Sequence, residues 1–166
     1  MNLTSKSSII PPSPIKFFSN LEKQHNFTSV KVTGEIPKDL NGTLFRNGVG
    51  IFEQFGKRYK HIFEGDGAIS ALKLEASKAY CSVNIIKSAE LEEELKVKKN
   101  LYGSKVPWLA RVLNALKGRG KNTANTNIVS WRNQLYALME GALPTQIDSN
   151  NLSKARQPPN SGQFLT

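Results

Sequence analysis

Few residues in this chain could do metal or nucleophile chemistry. Its 166 residues include two histidines, His25 and His61, and one cysteine, Cys81. A His/Cys zinc site needs more imidazole and thiolate ligands than that. His61 stands in YKHIFEGDGAIS, with Glu64 and Asp66 close by. An imidazole and two carboxylates could begin a metal cluster. With a single His at this place, however, Gly65-Asp66-Gly67 reads as a structural turn in which the Asp bonds its own backbone. The stretch Arg46-Asn47-Gly48-Val49-Gly50 holds a G-x-G without the third Gly, and no helix follows, so it is a poor dinucleotide loop. A lone Cys excludes an internal disulfide framework and fits a reducing compartment.

Charge supplies the next clue. There are 23 Lys+Arg against 13 Asp+Glu. Between Lys96 and Lys121 lie eight basic residues and no acid, just after the acidic cluster Glu90, Glu92, Glu93 and Glu94. Such local basicity points to an anionic surface, either nucleic acid or lipid headgroups, or else to a solvated face. Nucleic acid ranks last, because the basic window has no interleaved aromatics and no recognised nucleic-acid motif. No apolar run approaches the ~18 residues of a spanning helix. The N-terminus lacks a basic start followed by an apolar stretch, so no secretory signal is expected.

The elements that must position these residues read as mostly β. Residues 1–28 form an arm, expected to be partly disordered, rich in Ser and Pro at its start and docking through Phe17 and Phe18. From Ser29 onward, short runs of Val, Ile, Leu, Phe, Tyr and Thr alternate with turn formers. The runs are Ser29–Val32, Thr43–Arg46, Ile69–Leu74, Tyr80–Lys87, Ile128–Trp131, Leu135–Met139 and Thr145–Ile147. Asn41-Gly42, Asn47-Gly48, Gly65-Asp66-Gly67 and Arg132-Asn133 punctuate them, which is an antiparallel all-β pattern. Ile128–Trp131 and Leu135–Met139 make the clearest hairpin.

One stretch, VPWLARVLNALK, breaks this pattern and predicts a helix near residues 107–117. At 100° per residue, Trp108, Leu109, Val112, Leu113, Ala115 and Leu116 share one face, with Arg111, Asn114 and Lys117 opposite. Pro107 suits the start and Gly118 the stop. Two readings stand: a helix lying in a membrane interface, or one packing its apolar face on the protein's own sheet. In the first, Lys105, Arg111, Lys117, Arg119 and Lys121 surround the apolar face with positive charge.

GEIPKDLNGTLFRNGVG, KHIFEGDGAIS, KNTANTNIVSW and LYALMEGALPTQIDSNNL, in this order and spacing, resemble the N-terminal part of carotenoid cleavage oxygenases, especially the cyanobacterial apocarotenoid type. The likeness runs from about Val30 to Leu152. Val49 departs from a usual Pro, Glu64 from a usual Asp, and Ala68 from a common Met. The resemblance implies a fold that is all-β with a short helical cap element. Residues 29–166 would be the first blades of a seven-bladed β-propeller, incomplete in this chain. It also implies Fe(II) held by four His, with glutamates behind them fixing the imidazoles. The complete enzyme would use O2 to split a conjugated double bond of a carotenoid or apocarotenoid that reaches it from a membrane surface.

Residue by residue, Glu140 matches one of those glutamates, and Thr126 matches a small side chain near an open iron position. Trp108, Leu109, Val112, Leu113 and Leu116 match the membrane-facing cap. His61 matches a fold-shaping segment and is not an iron ligand. By the resemblance, the first iron-binding His follows the matched segment in an Ala-His-Pro-type motif, and Thr166 precedes it. The expectations are therefore no metal and no activity in this chain alone, a possible missing C-terminal part as partner, and a cytoplasmic, peripherally membrane-associated protein. The alternative is a non-catalytic remnant that binds a lipid surface.

Overall fold

The computed structural model describes residues 18–154; Phe17 and the Pro-rich start of the arm lie outside the described residues. Strands β1 (His25–Ser29), β2 (Gly42–Ile51), β5 (Asp66–Glu75) and β6 (Lys78–Ile85) form an antiparallel sheet in the order β1-β6-β5-β2. β3 (Glu53–Gln54) and β4 (Lys57–Arg58) make a small hairpin off its end. β7 (Asn127–Trp131), β8 (Gln134–Leu138) and β9 (Thr145–Ile147) form a second antiparallel sheet in sequence order. Helices α1 (Ala89–Val97) and α2 (Trp108–Leu116) occupy the connection between the two sheets.

Alternation along the strands explains how the sheets meet. Phe45 pairs with Ala71 and Asn47 with Ile69, so these residues share one face of the first sheet. Ile69 and Ala71 pack with Leu135, Ala137 and Ile147 of the second sheet, with Phe27, Phe45 and Ile128 at the margin. The core therefore lies between two face-packed sheets. Burying each Leu or Ile side chain of this core contributes about 1.5–3 kcal/mol.

Three hairpins close with two-residue loops in which both residues have positive φ: Phe55-Gly56, Ala76-Ser77 and Arg132-Asn133. This left-handed pair matches the twist of the strands it joins.

Several local expectations need correction. Asn47-Gly48 is no turn: both residues lie inside β2, and the Asn47 amide instead donates to the carbonyls of Ala124 and Asn127 at 2.9 and 2.7 Å. The first strand runs over His25–Ser29 rather than Ser29–Val32, because residues 25–29 are the ones that pair with β6. Phe18 does dock, edge-on to Phe52 with ring centroids 6.0 Å apart. Helix α1 lies outside the elements that the sequence pattern marks. It starts where the Ser88 hydroxyl accepts a hydrogen bond from the Leu91 N–H, and it ends at Lys98 with φ 54°.

Candidate functional site

Helix α2 forms over Trp108–Leu116, within the segment expected from the sequence, with Pro107 in the N-cap position. Its orientation decides between the two sequence readings. Trp108 is 68% exposed, Leu113 54% and Leu116 80%, and Leu109 and Val112 also face outward. Only Ala110 and Asn114 are partly covered by the body, and the Asn114 amide donates to the Leu101 carbonyl at 2.9 Å. Packing of the apolar face on the protein's own sheet is thus overturned for the described residues. Apolar side chains clustered in this way form an exposed patch of the kind that marks an interaction surface.

The basic rim is smaller than the sequence suggested. Arg111, Lys117 and Arg119 are exposed. Lys121 turns inward, its side chain only 6% exposed, and pairs with Asp66 at 2.7 Å and Glu94 at 2.8 Å. It also donates to the Tyr59 hydroxyl at 2.8 Å. Asp66 therefore does not serve its own turn. It opens β5, fully buried, and accepts from Lys121 and from the Tyr59 hydroxyl. Glu94 uses its other oxygen to accept from the N–H groups of Leu101 and Tyr102.

Burial raises the pKa of Asp66 against the opposing pull of Lys121. Burial works against the Lys121 ammonium too, but Asp66, Tyr59 and Glu94 together outweigh it, so Lys121 stays charged well above the usual lysine range. Lys105 lies 3.2 Å above the Tyr59 ring centre, and burial together with the nearby Lys121 charge pushes its pKa down to about 8. The sequence offered little sign of this cluster, because its five members come from five separate segments. The spacing of Leu91 and Glu94, both on the buried side of α1, was the one available signal.

Thr126 and Glu140 leave the same end of the β7–β8 ladder, whose last pair is Asn127 with Leu138. The Thr126 hydroxyl and N–H both donate to the Leu138 carbonyl, at 2.9 and 3.1 Å. Glu140 is exposed in the turn that follows β8. Asn125, buried beside Thr126, donates to the carbonyls of Phe63 and Gly65 and so ties this rim to the segment entering β5. His61 caps the 3-10 turn Ile62–Glu64, its Nδ1 accepting from the Phe63 N–H at 3.3 Å. His25 sits exposed on β1. Among the described residues, no group of three or more His, Cys, Asp or Glu is placed to hold a metal ion.

The profile of the retinal pigment epithelial membrane protein family matches residues 17–160. The chain belongs to this carotenoid oxygenase family. Apocarotenoid-15,15'-oxygenase of Synechocystis is 33% identical over 156 residues, which is 90% of this chain and 31% of that protein. Resveratrol cleavage oxygenase 1 of Chaetomium globosum is 29% identical, over 93% of this chain and 27% of its own length. A solved Synechocystis apocarotenoid oxygenase superposes with a TM-score of 0.74 at 31% identity, covering 84% of this chain and 30% of that one. The two-sheet, two-helix body thus matches the N-terminal part of that oxygenase's fold. The chain spans less than a third of the length of these two curated relatives.

Proposed function

We propose that this chain serves as the N-terminal blades of a carotenoid or apocarotenoid cleavage oxygenase and presents α2 to a membrane surface, where so apolar a substrate resides. One observation carries the lipid part: an apolar helical face turned away from the body, flanked by the exposed cations Arg111, Lys117 and Arg119. An amphipathic helix of this type sinks its apolar face into the headgroup boundary, and basic neighbours add attraction to anionic lipid. No helix among the described residues is long and apolar enough to cross a membrane.

The residues of this chain do not fit the Fe(II) centre implied by the resemblance. That centre needs four imidazoles, whereas the sequence holds two, one of them capping a 3-10 turn. In this reading Glu140 and Thr126 belong to the rim of a site whose iron ligands come from other polypeptide. Glu140 would accept a hydrogen bond from a ligand imidazole, and Thr126 would shape the approach of O2. Both lie at one end of the β7–β8 ladder, which supports assigning them to one rim. The chain itself therefore supplies the lipid surface and not the reaction.

Two measurements test this. In liposome flotation the chain should rise with phosphatidylcholine vesicles containing phosphatidylserine, and less so without it. Elemental analysis should find no stoichiometric iron. No flotation with anionic vesicles refutes the lipid reading, and one tightly bound iron per chain refutes the assignment of the ligands elsewhere.

A further inference from the structure

None of the nine side chains of α2 is buried by the described residues. A helix this short gains little stability by itself in water, and most helices owe theirs to a packed face. Something other than packing must hold α2 at a fixed angle to the body. Besides the single Asn114–Leu101 hydrogen bond, its two roots do so. On the N-terminal side, the Lys105 ammonium rests 3.2 Å over the Tyr59 ring, its nitrogen buried and without a hydrogen-bond partner among the described residues. Val106, the next residue, is buried. On the C-terminal side, Lys121 bonds the hydroxyl of the same Tyr59 and is gripped by Asp66 and Glu94. Both ends of the segment that carries α2 thus converge on one tyrosine.

We propose that Tyr59, Lys105 and Lys121, with the buried carboxylates Asp66 and Glu94, form a clamp that fixes the pose of α2 and so aims its apolar face at the lipid surface. The value of a fixed pose rests on the lipid reading above; the clamp itself does not. The cluster draws on every element around the helix roots: the segment after β4 gives Tyr59, β5 gives Asp66 and α1 gives Glu94. The two cations repel each other, and the Tyr59 ring between them offsets this by offering its negative face to Lys105. Lys121 lies 5.2 Å from the ring centre and meets chiefly the hydroxyl. Two acids balance two lysines, so the clamp is neutral as a unit while each member is needed. Lys105 and Lys121 are positioning residues: neither is exposed at the surface α2 would present.

The test is amide hydrogen exchange on the full chain without lipid. Lys121→Met by itself strands two buried carboxylates and endangers the fold, so the main variant is Lys121→Met with Asp66→Asn and Glu94→Gln, which removes the three charges together. The clamp predicts exchange about tenfold faster across residues 106–120, while β5 and β6 keep their protection. Lys105→Met is the milder arm. It should speed exchange at residues 103–116, and it decides the matter if the triple variant fails to fold. Unchanged exchange in a folded variant overturns the clamp. So does acceleration spread equally over β5 and β6, because the cluster would then support only the core. Flotation of the unaltered chain separates the two ideas: if it fails, the lipid reading falls, and the exchange result still decides the clamp.

Discussion

Replacing Trp108 and Leu113 together by Ser should uncouple the chain from lipid and leave its fold intact. Fully burying a side chain of this size is worth about 1.5–3 kcal/mol. Trp108 offers 68% of its surface and Leu113 54%. Scaled by exposure, the pair contributes about 2–3.5 kcal/mol to insertion. At 1.4 kcal/mol per factor of ten, the partition coefficient should fall roughly 30- to 300-fold. The same exposure means that neither side chain supports the core, so unfolding free energy should change by no more than about 0.5 kcal/mol. Vesicle flotation at several lipid concentrations gives the first quantity and a denaturant melt gives the second. Unchanged partitioning would show that other residues carry the attachment. A clear fall in stability would show that the face is used for folding after all.

Salt should act independently of those substitutions: because Arg111, Lys117 and Arg119 are exposed and each adds about 1 kcal/mol near anionic lipid, raising ionic strength well above ~0.1 M should weaken flotation of the unaltered chain. Thermal stability should rise with pH from about 8 toward 10. Lys105 has its pKa lowered to about 8 when folded against 10.5 ordinarily, so the unfolded chain holds more protons through that window. Above pH 10 the sign reverses. Tyr59 and Tyr102, both raised by burial, then keep protons that the unfolded chain has lost, so a melt series that kept rising past pH 11 would contradict this account. Gly67→Ala should cost about 1–3 kcal/mol in a denaturant melt, since its new Cβ would sit 2.3 Å from the Ala124 carbonyl oxygen, a backbone atom with no room to yield. Glu140→Gln should leave the melt of this chain within about 0.5 kcal/mol, because the side chain is exposed.

Period and punctuation made most of the strands legible. Thr145–Ile147 forms as read, and Arg132-Asn133 closes the hairpin expected there. What stayed hidden has physical reasons. Ala76-Ser77 makes a left-handed turn without the Gly or Asn that usually announces one. Asn47-Gly48 has turn composition, yet its side-chain amide is drawn to carbonyls near Ala124, some eighty residues away, and the backbone stays extended. Lys121 reads as one more surface cation until the acids of two distant segments close around it. Local pattern shows which faces are apolar. It does not show which charges meet in the interior.

The outward stance of α2 has a consequence for how such a chain can change over time. A helix that shares no side chain with the core is released from the jigsaw fit that restrains most helices. Apart from Asn114, whose amide is tied to the Leu101 carbonyl, its positions could be rewritten for a thicker, thinner or more acidic membrane without any compensating change in the sheets, provided the two lysine roots stay in place. Blade architecture and membrane preference would then be inherited as separable parts, and exchanging residues 107–117 between relatives is a direct way to move one without the other.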